Sequence, residues 1–273
     1  MQCSNCGAEL KPGASFCGKC GTSVSVAGAS GGTVNWGEVA GGSGPEAQSD
    51  PEFLTEPHLA CCLLVDVSGS MSVNGKIDQL NQALAQFKDQ VCQDSLSAKR
   101  VEVCVISFGS TVKVETPFVG VSRFVAPTLR AGGMTAMGEG IRRALEEVRQ
   151  RCHLYHQMGI ECFKPFVMMI TDGLPTDDVS GIRDLIDTRE NQGSYGHLRF
   201  HAFGVEGANT DMLYSLTERV MAVKNNNFAS AFNWASKTMQ TISHSHVDDK
   251  TAYPPTEEDM VIPVKGQQVN WNS

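Results

Sequence analysis

The chain has 273 residues, 41% of them hydrophobic, which is enough for one sizeable α/β domain beside a small module. A formal net charge of -8 disfavours non-specific attraction of the whole chain to nucleic acid. No apolar run approaches the roughly 20 residues needed to span a bilayer, and the N-terminus carries a cysteine pair where a secretory leader needs charged and then apolar residues, so a cytoplasmic protein is expected.

Residues 1–22 read as a module of their own. Cys3-x2-Cys6 and Cys17-x2-Cys20, each second cysteine followed by a glycine (Gly7, Gly21), form two knuckles that can deliver four thiolates tetrahedrally to one Zn2+. So short a segment has almost no core, and metal binding must supply most of its folding free energy. With four thiolates no coordination position stays open, so the expected role is structural. The segment resembles the zinc ribbons at the N-termini of many bacterial proteins, including the Lys11-Pro12-Gly13-Ala14 turn and Phe16-Cys17. Nucleic acid would be reached only through this ribbon, whose Lys11 and Lys19 are too few for much phosphate affinity.

Residues 23–57 form a linker rich in Gly, Ser and Ala, with Pro45, Pro51 and Pro57, a composition that buries too little surface to order itself. Trp36 stands in Val34-Asn35-Trp36, and the triplet returns as Val269-Asn270-Trp271. Both are expected to be short docking motifs, for a partner or for the globular domain.

From residue 58 to 246 apolar runs of strand length alternate with helical periodicity. Leu59 to Val65 is a near-continuous apolar run, the mark of a strand buried on both faces of a parallel sheet. Cys61 and Cys62 within it should point to opposite faces as small hydrophobes, and with Cys92, Cys104, Cys152 and Cys162 they are expected to be free thiols. Ile77, Leu80, Leu84, Phe87 and Val91 recur at helical spacing. A strand follows at 101–108, an antiparallel edge strand at 111–115 and a helix from Gly138 to about Arg151. Next come a strand at 165–171, a helix near 179–191, a strand at 198–205, a helix at 211–216, a short strand at 220–223 and a helix at 228–242. This order implies an α/β fold with a doubly wound, mostly parallel sheet. Residues 247–273 read as an acidic tail, extended or disordered, with Pro254-Pro255 and Glu257-Glu258-Asp259.

Three strand ends and loops carry the chemistry. Asp66-x-Ser68-x-Ser70 follows the first apolar run, Thr135 lies in Gly133-Met134-Thr135, and Asp172-Gly173 follows the run Pro165 to Ile170. Two carboxylates and three hydroxyls suit a hard divalent ion such as Mg2+, with Mn2+ or Ca2+ as alternatives, and leave it open positions. In open α/β sheets ligands sit outside the carboxyl ends of the strands, where Asp66 and Asp172 emerge. Gly69 lets the loop turn so that Ser68 and Ser70 face one point. The same residues fail two other patterns. Five residues separate Gly69 from Gly75, where a phosphate-binding loop has four, and Ile77 stands where its hydroxyl belongs. Asp66 occupies the position of the first glycine of a Gly-x-Ser-x-Gly elbow, and no histidine is placed as a base. A plainer reading, in which Asp66, Ser68 and Ser70 only cap the following helix, leaves Thr135 and Asp172 unexplained. His153, His156, His244 and His246 lack matching ligands in the sequence and read as surface or capping residues.

Asp66-Val-Ser-Gly-Ser70, Thr135 and Thr171-Asp172-Gly173 resemble the metal-ion-dependent adhesion site of von Willebrand factor type A (VWA) domains, over roughly residues 58–246. Ser97 to Val103, Thr135-Ala-Met-Gly138, Leu154-Tyr155 to Gly159-Ile160 and Asp172 to Asp178 are similar to the bacterial tellurite-resistance TerY-like branch, which however shows Gly-Gly-Thr where this chain has Gly133-Met134-Thr135. The resemblance implies a Rossmann-like domain that is not an enzyme and binds an acidic residue of a protein partner through the ion. It also implies a scaffold or substrate role beside a Ser/Thr kinase and a PP2C-type phosphatase in a stress response, with Thr251 and Thr256 of the tail accessible to the kinase. Two alternatives stand beside it: an Mg2+-nucleotide-dependent phosphoryl-transfer or ATPase-associated component, and nucleic-acid binding led by the ribbon.

Overall fold

A computed structural model describes Gln2 and residues 55–191, 197–250 and 252–271. The chain divides into two units, Met1–Ala40 and Gly41–Ser273. The expected zinc ligands Cys3, Cys6, Cys17 and Cys20, linker residues 23–54 with Trp36, and Thr251 lie outside the described residues.

The second unit contains, in chain order, β1 (Leu59–Asp66), α1 (Lys76–Cys92), α2 (Ser95–Arg100), β2 (Val101–Phe108), β3 (Val112–Gly120), α3 (Met137–Gln157), β4 (Phe166–Thr171), α4 (Ile182–Asn191), β5 (Arg199–Gly204), α5 (Thr210–Leu216), β6 (Val220–Val223), α6 (Phe228–Ser243) and β7 (Met260–Val261). They build one seven-stranded sheet in the order β3-β2-β1-β4-β5-β6-β7. β3 and β7 run antiparallel to their neighbours and the other pairings are parallel.

The unbroken apolar strands follow from cores on both faces. Along β1, Leu59, Cys61, Leu63 and Val65 enter one core with Leu80, Leu84 and Phe87 of α1 and Phe228, Phe232 and Trp234 of α6. Ala60, Cys62 and Leu64 enter the other, with Ile141, Leu145 and Val148 of α3 and Ile182 and Ile186 of α4. The adjacent cysteines therefore do face opposite ways, and all six described cysteines are free thiols. A buried ion pair links the layers: Arg151 of α3 donates to Glu102 of β2 at 2.5 and 2.7 Å, and the Tyr155 hydroxyl donates to the same carboxylate.

Four elements differ from the sequence expectation. α3 runs on past Arg151 to Gln157. β3 runs on to Gly120, because the register against β2 shifts between Val103 and Val105 and a bulge there accommodates Pro117, which has no N–H to donate. α2 was not expected, although Asp94 caps it by accepting from the Ser97 N–H at 2.8 Å. The tail is fastened to the domain. β7 extends the sheet beside β6, Tyr253 stacks on Trp234 at 5.7 Å between ring centres, and the Tyr214 hydroxyl donates to the Pro263 carbonyl at 2.6 Å. Trp271 packs against the second core, and its carbonyl accepts from the Asn225 N–H at 2.8 Å, so this Trp docks on the chain's own domain. Among the described residues no helix is long and apolar enough to cross a membrane.

Candidate metal centre

The sheet order places β1 between β2 and β4, so the chain leaves β1 toward one edge and later returns to its other side. The carboxyl ends of β1 and β4 thus border the crevice where connections diverge in opposite directions, the usual ligand position of an open α/β sheet. Asp66 is the last residue of β1, and Asp172 follows the last residue of β4.

The expected ligands meet there. A Cβ built on Gly173 would lie 3.6 Å from Thr135 Oγ1 and 3.7 Å from both Asp66 Oδ2 and Ser70 Oγ, so oxygens from the loop after β1 and from the Thr135 loop surround one small space beside Gly173. Ser70 Oγ donates to Asp172 Oδ1 at 2.5 Å. With the Ser70 proton so used, Ser68 Oγ is the donor in the 3.0 Å contact between the two serines. Asp66 Oδ1 accepts from the Ser68 N–H at 2.7 Å and Oδ2 from the Thr171 hydroxyl at 2.5 Å. Burial pushes the Asp66 carboxyl up to about 6, against the Ser68 and Thr171 hydrogen bonds, which favour its charged form. Asp66, Ser68, Thr135 and Asp172 are buried, whereas Ser70 is exposed and gives the site its opening.

Backbone contacts hold the three loops in place. The Gly69 N–H donates to the Gly133 carbonyl at 3.0 Å and the Gly132 N–H to the Val67 carbonyl at 2.8 Å. Gly133 has φ +80°, and a Cβ on it would stand 2.1 Å from Ser110 Oγ, so both the backbone and the space require glycine. Met134 donates its N–H to Ser110 Oγ at 2.9 Å and is 59% exposed, which puts this bulky residue on the rim.

Several residues of the site were not singled out from sequence. Thr176 accepts from the Thr135 N–H at 3.0 Å and donates its own N–H to the Thr135 carbonyl at 2.9 Å. Asp177 accepts from the Gly138 and Glu139 N–H groups at 3.0 and 2.8 Å, capping α3 from the neighbouring loop. Lys76 lies between Gly75 and Ile77, in the segment that fails the phosphate-loop pattern. Its ammonium lies 2.6 Å from Asp172 Oδ2 and 2.8 Å from the Glu206 carbonyl, and the residue is 6% exposed. A signal was available, since a lysine opening a helix stands at the end where the dipole disfavours cations. His244 stands at the surface and at the C-cap of α6, as expected, and its Nε2 also lies 2.9 Å from Asp94 Oδ2.

The donor set fits a hard divalent ion: the Asp66 carboxylate and the Ser70 and Thr135 hydroxyls around a space that one Cβ would enter, with the Asp172 carboxylate beside it on Ser70. Among the described residues no group of three or more His, Cys, Asp and Glu side chains is placed to hold a metal, so a site here depends on hydroxyls.

Comparison with known families agrees with this architecture. A von Willebrand factor type A domain matches residues 61–174, from within β1 to just beyond Asp172, and a zinc-ribbon domain matches residues 2–24. No curated protein matches the chain. Among solved structures, a von Willebrand factor type A protein from Catenulispora acidiphila is 14% identical with a TM-score of 0.49, covering 68% of this chain and 43% of that one. The ArnB paralog VWA2 from Sulfolobus acidocaldarius is 12% identical, with a TM-score of 0.47 over 67% of this chain and 46% of that one. The manganese-loaded Plasmodium vivax TRAP protein is 15% identical, with a TM-score of 0.45 over 66% and 73% of the two chains. The chain spans less than half the length of the first two.

Proposed function

We propose that the chain is a non-enzymatic protein-binding scaffold whose α/β domain grips an acidic residue of a protein partner through a divalent ion. Mg2+ is the expected ion, held by Asp66, Ser68, Ser70, Thr135 and Asp172 directly or through water. The observation that carries the reading is the convergence of Asp66 Oδ2, Ser70 Oγ and Thr135 Oγ1 on one point beside Gly173. When bound, the ion supplies Lewis acidity toward a carboxylate of the partner. The serine hydroxyls are engaged with each other and with Asp172, not with an imidazole, which favours binding over nucleophilic chemistry.

The rim favours a protein as partner. Val73, Met134 and Leu174 are 53%, 59% and 56% exposed and sit on the three ligand-bearing loops, so apolar side chains would flank the partner's carboxylate. The zinc ribbon, with Cys3, Cys6, Cys17 and Cys20 on Zn2+, would recruit a second macromolecule. The resemblance to the TerY-like branch points to a Ser/Thr kinase and a PP2C-type phosphatase as partners in a tellurite or other stress response, in the cytoplasm. Free thiols at the six described cysteines accord with a reducing compartment. Thr256 is exposed and open to a kinase, and intact-mass analysis after incubation with that kinase would show a phosphoryl adduct.

The test is a pull-down from native lysate with Mg2+, with EDTA, and with Asp66→Ala. Partners lost in both of the latter support the reading; partners that persist in both refute a role for the cation site in capture.

A further inference from the structure

Lys76 breaks a local rule. It opens the 17-residue helix α1, where backbone N–H groups and the helix dipole repel a cation, and its side chain is nearly all buried. A buried ammonium in such a place requires compensation, and it has two partners. Nζ takes Asp172 Oδ2 at 2.6 Å and the Glu206 carbonyl at 2.8 Å. The Glu206 loop is itself fixed, for Asn226 accepts from the Glu206 N–H at 3.1 Å and donates to its carboxylate at 2.8 Å. Gly207, at φ +101°, lets the chain pass close by; a Cβ there would meet the Asp172 carbonyl at 3.2 Å and Lys76 Nζ at 3.9 Å. The lysine is therefore built in behind the metal centre, on the Asp172 oxygen not taken by Ser70.

Resting on the divalent-ion reading above, we infer that Lys76 is a resident cation of this site, lowering its affinity for the divalent ion and raising the positive charge of the loaded site toward an acidic partner. The charge balance gives the sign. Asp66 and Asp172 contribute two negative charges and Lys76 one positive, a net -1 that a divalent ion converts to +1. Without Lys76 the loaded site is neutral. Ion binding then meets a net -2 and is stronger, while the attraction left for a partner carboxylate is weaker. A lysine that only oriented Asp172 would have the opposite effect on the ion, since its loss would free the carboxylate and weaken binding.

The experiment is calorimetric titration of the full chain with Mg2+, comparing wild type with Lys76→Met, Lys76→Gln and Lys76→Arg. Met and Gln should lower the Mg2+ Kd by about tenfold or more, while Arg, which keeps the charge, stays within about threefold of wild type. In melting curves the two neutral variants should lie below wild type without metal and gain more from saturating Mg2+. Should Met prevent folding, Gln retains a donor and carries the comparison. A Kd unchanged or raised in both neutral variants, with wild type binding Mg2+, overturns the inference and leaves the metal centre standing. Absence of Mg2+ binding in every protein overturns both.

Discussion

A methyl group at Gly173 would meet Thr135 Oγ1, Asp66 Oδ2 and Ser70 Oγ at ordinary van der Waals distances of 3.6 to 3.7 Å. Gly173→Ala should therefore fold with near-native stability yet raise the Mg2+ Kd by about tenfold or more, because the methyl takes the space the oxygens share. Calorimetry beside a melting curve separates the two effects. Within β5 another residue contributes to the acid response. His201 is stacked on Phe166 at 4.9 Å with its Nδ1 unpartnered, and burial pushes its imidazole down to about 3. A folded pKa below the unfolded one means that the unfolded chain takes up more protons as pH falls through 6.5, so this contribution to stability is present above 6.5 and lost below it. The loss is about 2 kcal/mol between pH 7 and 5. His201→Leu should remove that slope, and urea unfolding of both proteins at the two pH values would show the gap between them narrowing.

Among the elements, long buried strands were legible and short or capped ones were not. β1, β2 and β4 announce themselves as apolar runs because both their faces are covered. β7 has two residues and α2 has six, too few for periodicity to register, and β3 hid its second half behind Pro117. The site divided in the same way. Asp66, Ser68, Ser70, Thr135 and Asp172 were readable because each lies at or near a strand end or in a glycine-rich loop. Lys76, Thr176 and Asp177 act through partners 96, 41 and 38 to 39 residues away, and nothing local in sequence names those partners. Asp177 shows what such a contact is worth: by capping α3 it fixes the helix that follows Thr135. Asp177→Ala should cost about 1 kcal/mol of stability, measurable by denaturant titration.

For the α/β domain as a whole, the tail belongs to the fold. Its segment from 252 to 271 adds the seventh strand, seats Tyr253 on Trp234 and bonds through Trp271 to Asn225. The acidic composition that made it look free holds it in place: Asp259 accepts from Asn225 and Asn227, and Glu257 pairs with Lys237 at 2.8 Å. Truncation after Lys250 should lower stability by about 2 kcal/mol or more by uncovering Trp234 and the edge of β6. It should also speed amide exchange along β6, as mass spectrometry would record.

The proposed function and the role of Lys76 both require a divalent ion between the carboxyl ends of β1 and β4. Mn2+ is the probe of choice, because it favours oxygen ligands and the thiolates of a zinc ribbon do not compete for it. Electron paramagnetic resonance of the full chain titrated with Mn2+ should show a single bound ion, displaced by Mg2+ and lost in Asp66→Ala and in Asp172→Ala. A spectrum of free Mn2+ throughout, or a bound ion that survives both substitutions, would contradict the account.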